Sequence, residues 1–168
     1  MIGKVSILKV DDGYLLGFFR GEWGGYMYWF SKDGKHHYLI SEVDVVQFIG
    51  FNNHVYAIEG LAHLGLSEGS ILSLQKKNGK WISSEYLKLP AAPEAIAVYG
   101  NNFIIITSKS LLEVDDNLKT TTLVEKGILY YLDPNSLIIH DNIVYAGMQA
   151  GVYKYNLLSK QQEWLMPN

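Results

Sequence analysis

Five histidines are the residues of this chain best suited to hold a metal ion or to transfer a proton. His36 and His37 are adjacent, so on a strand their side chains point to opposite faces and cannot bind one ion together. His54 and His140 lie beside turn residues, where an imidazole commonly hydrogen-bonds the backbone. His63, the remaining histidine, lies in a predicted long loop and is the one histidine with a plausible position for a site. No carboxylate–histidine spacing resembles a known metal site, and we expect no bound metal.

Two pairs of adjacent carboxylates, Asp11-Asp12 and Asp115-Asp116, have the chemistry of a general acid and base. Both pairs fall in predicted tight turns, where aspartate is favoured because it hydrogen-bonds its own backbone. A catalytic carboxyl group would need a dry pocket to raise its pKa. We therefore interpret both pairs as turn residues.

Other catalytic signatures are missing from the sequence. There is no Gly-x-Ser-x-Gly motif, and the glycine-rich segment 21–25 lacks the Lys-Ser/Thr that follows in a phosphate-binding loop. The chain has no cysteine, which excludes disulfides, thiolate metal sites and cysteine nucleophiles. The expectation is a protein without catalytic residues or cofactor, not an enzyme.

A repeated turn organises the chain. Asx pairs at 11–12, 52–53, 101–102 and 141–142 each separate two apolar runs, and their second residues are 41, 49 and 40 positions apart. A period of this size, with strand-like aromatic and β-branched content, predicts the blades of a propeller. We expect an all-β fold in one domain over 1–168. Its four repeats of four antiparallel strands are predicted at about 4–43, 44–92, 93–135 and 136–168.

Turn residues support this division into repeats. Asp33-Gly34 and Asn78-Gly79 sit at matching places between the third and fourth strands, and we expect both residues of each pair to have positive φ. The segment 60–69 is predicted to be a long loop in which a short helix or turn would fit. Prolines, which cannot donate to a strand ladder, fall between repeats: Pro90, Pro93 and Pro134.

These features resemble β-propeller-type repeats in general. The diagnostic dipeptides of WD repeats are absent, and the Gly24-Gly25 pair, similar to kelch repeats, occurs once. The chain begins at a first strand and ends at a fourth strand, so no extra strand is left to lock a ring. Two arrangements stay open, a small closed propeller and an open half-propeller, and we favour the open form. Half of an eight-bladed homodimer is a third option.

Charge and hydropathy restrict the partners. The net charge is −3, and the surplus lies in the third repeat, which has three lysines against six carboxylates. Nucleic acid is disfavoured as a partner because phosphate binding requires a basic stripe, whereas a basic protein is compatible. The sequence contains no signal peptide and no long apolar segment, so we expect a cytoplasmic protein that does not cross a membrane.

The predicted contact residues lie mainly on one propeller face, where the loops between second and third strands meet the connectors between blades. Trp23, in a glycine-rich loop, is the candidate hot spot because tryptophan is over-represented at binding hot spots. The aspartates of the third repeat lie on the opposite rim and are predicted to steer a cationic partner. The full candidate set is Arg20, Glu22, Trp23, Glu59, His63, Glu68, Gln149, Asp115 and Asp116.

In size, class and character the chain resembles the immunity proteins that bacteria keep against toxins of contact-dependent growth inhibition systems. That resemblance implies a one-to-one complex in which the protein covers the active site of a toxin, often a basic nuclease. The alternative is a propeller enzyme or carbohydrate-binding protein with a site in the central channel, using Glu59 and Glu68. Monomer and homodimer both remain open.

Overall fold

The all-β prediction with four-stranded repeats is confirmed. The computed structural model describes residues 3–125 and 133–166, and over these ranges it contains sixteen strands and one short 3-10 helix. The strands form four antiparallel sheets of four strands each, and strands consecutive in sequence are neighbours in every sheet. The chain divides into two compact units, 1–93 and 94–168. Each unit contains two sheets.

The first unit holds the first and second sheets. The first sheet consists of β1 (Lys4–Val10), β2 (Gly13–Phe19), β3 (Tyr26–Ser31) and β4 (His37–Ser41). The 3-10 helix, Gly21–Trp23, connects β2 to β3. The second sheet consists of β5 (Val45–Phe51), β6 (His54–His63), β7 (Leu66–Lys77) and β8 (Lys80–Leu89).

The second unit holds the third and fourth sheets. The third sheet consists of β9 (Pro93–Tyr99, which begins at the last residue of the first unit), β10 (Asn102–Thr107), β11 (Leu111–Val114) and β12 (Thr120–Val124). The fourth sheet consists of β13 (Ser136–His140), β14 (Ile143–Met148), β15 (Gly151–Asn156) and β16 (Gln162–Leu165). Lys126, which was counted in the charge of the third repeat, lies outside the described residues.

The Asx pairs connect the first and second strands of each sheet. Asn52 and Asn53 both have positive φ, 48° and 60°, a conformation that asparagine tolerates better than most residues. In the third sheet the turn lies one residue earlier than predicted, at Gly100-Asn101, and Asn102 already belongs to β10. The reason is that Gly100 adopts a φ of 59° without steric cost.

The turns between third and fourth strands differ from one another. Asn78 and Gly79 have φ values of 51° and 76° and close a two-residue turn, as predicted. In the turn between β3 and β4, Gly34 has a positive φ but Asp33 does not, so the prediction for Asp33 is wrong. The Asp33 carboxylate accepts hydrogen bonds from Ser31 Oγ (2.6 Å) and from the Lys35 backbone N–H (3.1 Å). These local hydrogen bonds stabilise a turn longer than two residues, in which the backbone of Asp33 keeps a negative φ.

The prediction of a long loop at 60–69 is wrong, and of the two options given for this segment the structure has a turn and not a short helix. Strands β6 and β7 pair continuously to His63 and Leu66, and the chain reverses through Leu64 and Gly65. These two residues have φ values of 48° and 87°, the geometry of a tight hairpin turn. The strand pairing continues to within one residue of this turn, so the segment belongs to a hairpin.

An apolar cluster holds the two sheets of the first unit together. Its buried members come from both sheets: Leu15, Met27, Val45, Phe48, Ala57, Leu72, Leu74 and Trp81. The sheets approach so closely at Gly17 that a Cβ there would lie 2.4 Å from Val45 Cβ. A side chain at residue 17 would therefore push the sheets apart.

A polar cluster joins the same two sheets beside the apolar one. Asp12 Oδ1 accepts hydrogen bonds from Trp29 Nε1 (3.2 Å) and Trp81 Nε1 (3.1 Å), and Lys76 Nζ lies 2.9 Å from Asp12 Oδ2. Tyr38 stacks on Trp29 and accepts a 2.7 Å hydrogen bond from the Trp81 backbone N–H. Burial raises the pKa of Asp12, but hydrogen bonds from Lys76 and the two indoles outweigh it and lower the pKa below its usual value. We call these five residues the Asp12 cluster.

The second unit has its own core, drawn from the third and fourth sheets. Its buried members include Ile104, Ile106, Leu111, Val144, Ala146, Tyr153 and Tyr155. Burial, together with the neighbouring Tyr155, raises the pKa of Tyr153 to about 12. Tyr99 Oη donates a 2.7 Å hydrogen bond to Asn142 Oδ1, which links the two sheets. Within the described residues, no helix has the length and apolar character required to span a membrane.

Candidate partner-binding surface

The connection between β2 and β3 presents Trp23 to solvent. The 3-10 helix is bounded by Gly21 and Gly24, whose φ values of 61° and 71° favour glycine. Gly24 N–H donates to Gly21 O (2.9 Å), which closes the single turn. Trp23 at the end of this turn is 70% exposed, so it does not fill a core.

The β6–β7 hairpin adds two more exposed apolar side chains. Leu64 at its tip is 91% exposed and Leu66, the first residue of β7, is 68% exposed. Sequence reasoning missed both residues because it placed them in an irregular loop. The available signal was Gly65, which permits a tight turn and leaves its apolar neighbours at the tip.

An ion pair connects the 3-10 helix to the hairpin. His63 Nε2 lies 3.0 Å from Glu22 Oε2, and both side chains are roughly half exposed. The pair is fully charged only when His63 is protonated, and exposed pairs of this kind contribute about 0–1 kcal/mol to stability. The contact shows that the Trp23 turn lies beside the hairpin. We call Glu22, Trp23, His63, Leu64 and Leu66 the hairpin surface.

Glu59 and Glu68, two of the predicted residues, border a pocket in the same unit. The pocket has a volume of about 310 Å³, and side chains lining it include Asp44, Glu59, Glu68, Ser70, Glu85 and Lys88. Ser70 Oγ donates a 2.5 Å hydrogen bond to Glu59 Oε1. Burial raises the pKa of Glu59; the Ser70 hydrogen bond opposes this, and the negative charges of Asp44 and Glu85 raise the pKa further.

Arg20 connects the pocket to the Trp23 turn through its backbone. Its N–H donates a 3.1 Å hydrogen bond to Asp44 Oδ1, and the Asp44 carbonyl accepts a hydrogen bond from Gly60 N–H (3.2 Å). At Gly25 an added Cβ would lie 2.6 Å from Asp44 Oδ1, so the turn passes close to this carboxylate. Sequence reasoning missed Asp44 because it lies in a connector between sheets, and nothing in the sequence indicates that this connector lies beside Glu59 and Glu68.

Six of the nine predicted residues therefore lie in the first unit, at the hairpin surface or the adjoining pocket. The other three lie in the second unit. Gln149 is exposed in the turn between β14 and β15. Asp115 Oδ1 accepts hydrogen bonds from the backbone N–H groups of Asn117 and Lys119, both at 2.9 Å. Asp116 is exposed and accepts a hydrogen bond from the Asn117 side chain.

The acidic side chains are not arranged for a metal. Over the two described ranges, no group of three histidine or carboxylate side chains has the geometry to hold an ion. The pocket instead combines four carboxylates with Ser70 and Lys88. This chemistry suits cationic or hydroxyl-rich groups, which can donate hydrogen bonds to carboxylate oxygens.

No family model and no curated protein matches the chain. Solved structures do resemble it. Virginiamycin B lyase from Staphylococcus aureus is 14% identical, with a TM-score of 0.62 over 99% of this chain and 56% of that one. A Bacteroides uniformis protein named "putative 6-phosphogluconolactonase" is 11% identical, with a TM-score of 0.57 over 96% of this chain and 55% of that one. The chain thus spans little more than half the length of either protein, and its four four-stranded sheets match about half of a β-propeller chain.

Proposed function

We propose that this protein is a non-enzymatic protein-binding module and that it contacts its partner through the hairpin surface. The observation that carries the proposal is that Trp23, Leu64 and Leu66, three large exposed apolar side chains, lie on two segments that the Glu22–His63 contact shows to be neighbours. Single exposed apolar residues are ordinary on protein surfaces, but clustered ones rimmed by polar groups mark interaction sites. Tryptophan in such a cluster is a typical hot-spot residue.

The charge around this surface favours a basic partner. Glu22 lies within it, and the neighbouring pocket adds Asp44, Glu59, Glu68 and Glu85 against Lys88. Complementary charge accelerates association and selects the orientation of the partner, whereas desolvated apolar anchors slow dissociation. We therefore assign recognition to the carboxylates and residence time to Trp23 and the two leucines.

The finer proposal is that the partner is a toxin and that the protein neutralises it by covering its active site. The resemblance to immunity proteins in size and class supports this, as do the four carboxylates of the adjoining pocket, which suit a basic nuclease. A toxin domain bound at the hairpin surface would place its basic active site over the carboxylates of the pocket.

A photo-crosslinking amino acid introduced at residue 23, and separately at residue 64, tests the binding proposal in the source cells. The matched control carries the same group at residue 158, where Leu158 is also 70% exposed but lies in the second unit. We expect one protein to be crosslinked from both test positions and not from the control position. Equal crosslinking from all three positions, or none from residues 23 and 64, contradicts the proposal.

Expression of the crosslinked protein then tests the finer proposal. We expect it to arrest growth when it is expressed alone, and co-expression of this chain to restore growth. Trp23→Ala should weaken the complex by about 2 kcal/mol or more, mainly through faster dissociation, and should reduce protection. A partner that leaves growth unaffected would refute the proposal that it is a toxin, but would agree with the proposal of a protein-binding module.

The runner-up function is a carbohydrate-binding or carbohydrate-modifying protein that uses the pocket. The observation that favours it is Glu59, whose burial raises its pKa beside the exposed Glu68, because a glycosidase needs one protonated and one ionised carboxyl group. Titration calorimetry with neutral oligosaccharides tests it. Binding that is lost in both Glu59→Gln and Glu68→Gln, but retained in Trp23→Ala, would favour this candidate over the binding module.

A further inference from the structure

The turns at one end of the first unit are rich in lysine. These are the turns that join β1 to β2, β3 to β4 and β7 to β8. Three aspartates lie there against six lysines, a surplus of three positive charges in a chain whose net charge is −3. The six lysines are all exposed, and we call them the basic surface: Lys9, Lys32, Lys35, Lys76, Lys77 and Lys80.

Side-chain contacts show that the three turns lie together. Lys80 Nζ, beside the β7–β8 turn, lies 5.5 Å from the ring centroid of Tyr38, and Tyr38 Oη accepts the 2.7 Å hydrogen bond from the Trp81 backbone N–H. Tyr38 is the second residue of β4, so the β3–β4 turn lies beside the β7–β8 turn. Lys76 Nζ lies 2.8 Å from Asp11 Oδ1, which brings the β1–β2 turn to the same place.

The three aspartates of this end are already bound within the protein. Asp11 and Asp12 share one lysine, Lys76, and Asp12 also accepts hydrogen bonds from two indoles. Asp33 accepts two hydrogen bonds inside its own turn. Within the described residues, no carboxylate forms an ion pair with the other five lysines of the basic surface. Five positive charges are therefore available to a partner.

Two of these lysines are placed where they repel each other. Lys77 and Lys80 are directly opposite across the β7–β8 turn. Like charges in such a cross-strand pair destabilise a sheet. The turn itself is closed by Asn78 and Gly79, which need no lysine on either side. An arrangement that opposes stability without an internal compensation is expected at a binding surface, where an external anion supplies the missing charge.

We propose that the basic surface binds an acidic segment of another protein, a stretch rich in aspartate and glutamate. Lysine ammonium groups donate charge-assisted hydrogen bonds to carboxylates, and several lysines on adjacent turns can bind successive acidic residues. This interaction goes beyond the proposed function and is independent of it. Strand β7 runs from Leu66 on the hairpin surface to Lys77 on the basic surface, so the two surfaces lie roughly 35 Å apart.

Other anionic partners fit this surface less well. Single-stranded nucleic acid binds by stacking its bases on exposed aromatic rings. The rings at this end belong to the Asp12 cluster, where Trp29 stacks on Tyr38 and Trp81 is buried. A membrane surface requires an apolar anchor in addition to basic residues. None of the three turns, all of which the structure describes, carries a large exposed apolar side chain.

The first experiment measures binding of a fluorescently labelled ten-residue glutamate peptide by anisotropy. We expect binding that weakens as ionic strength rises, and that falls at least about tenfold in the double variant Lys35→Glu/Lys77→Glu. The matched control is Lys4→Glu, because Lys4 is exposed at the opposite end of β1. The control should retain wild-type affinity. No binding at low ionic strength, or equal weakening in the control, overturns the proposal.

The second experiment separates binding from folding and compares the classes of anion. Lys77→Glu by itself places opposite charges across the β7–β8 turn, so it should resist urea at least as well as wild type and yet bind the peptide less tightly. Wild-type peptide affinity in Lys77→Glu overturns the proposal. Tighter binding of a ten-residue oligothymidylate than of the glutamate peptide, or binding only to phosphatidylserine vesicles, overturns the assignment to an acidic protein segment.

Discussion

The two compact units join their sheets with the same turn but with different chemistry. In the first unit Asp12, in the turn between β1 and β2, binds two indoles and Lys76 through its carboxylate. In the second unit Asn142, in the turn between β13 and β14, binds Tyr99 Oη through a neutral amide. The comparison teaches that a turn between the first and second strands can supply an acceptor to a neighbouring sheet, and that the choice of Asp or Asn decides whether this acceptor is charged.

We call these two contacts between sheets the first and second joints. The largest expected difference between them comes from removing one hydrogen-bonding partner at each, the donor Trp81 at the first and the acceptor Asn142 at the second. Trp81→Ala deletes a buried ring of the apolar cluster and one of the two indoles bound to Asp12. We expect it to destabilise the first unit by about 3–5 kcal/mol. Asn142→Ala, which removes only the acceptor of Tyr99, should cost the second unit about 1 kcal/mol. Hydrogen exchange measured separately for amides of each unit distinguishes the two effects, and a larger loss in Asn142→Ala would contradict the comparison.

Charge at the first joint should make its stability depend on pH. The pKa of Asp12 is lower in the folded protein than in the unfolded chain, so its contribution is present above the unfolded value and is lost as pH falls through the folded one. Asp12→Asn keeps an acceptor for an indole but removes one of the two carboxylate charges that face Lys76. The other, Asp11, lies 2.8 Å from Lys76 Nζ and remains. With side chains about one third exposed, we expect a loss of about 1–2 kcal/mol at neutral pH.

The second joint is the control for this pH effect. Asn142 carries no charge, so protection of the second unit against hydrogen exchange should show no matching loss in acid at this joint. The difference between wild type and Asp12→Asn should shrink as pH falls, because protonation of Asp12 removes the same charge. A difference that is constant with pH would show that the carboxylate acts only through its shape.

The smallest effect on stability is expected at Glu59, and its dependence on pH has the opposite sign to that of Asp12. Its pKa is raised in the folded protein, so the folded state binds a proton more tightly and stability declines as pH rises from the unfolded pKa through the folded one. Glu59→Gln retains an acceptor for Ser70 and removes this penalty. We expect the variant to be more stable than wild type at neutral pH and equal to it in acid, as measured by urea unfolding. Glu68→Gln, at an exposed position, is the control and should show little change.

Local patterns predicted the fold because each repeat is built from strands that are close in sequence. The Asx pairs and the Asn78-Gly79 turn specify hairpins within a few residues, and a strand sequence needs no distant information to adopt them. The same local reasoning failed at 60–69, where the length of the connection was taken for a loop although β6 and β7 pair up to the turn. It also failed at Asp33, whose side chain satisfies the turn in another way.

The candidate site was predictable only in part. Trp23, Glu22 and His63 were identified from the glycine-rich turn and the long connection, and the structure brings them together. The contribution of Asp44 to the pocket required the register of β5 on β6, which contains an irregularity between Val45 and Gln47. The pairing of Asp12 with Trp81 joins residues 69 positions apart. Neither relation leaves a periodic signal in the sequence.

Leu64 has a consequence for how this protein could be altered. A leucine with a φ of 48° occupies a conformation that costs roughly 1–2 kcal/mol relative to right-handed backbone, and glycine or asparagine would relieve that strain. Under the proposed function, backbone strain at the hairpin tip favours a smaller residue, whereas partner binding favours leucine. Selection for heat resistance should therefore favour substitutions at residue 64. Such variants would lose the most exposed apolar side chain of the hairpin surface.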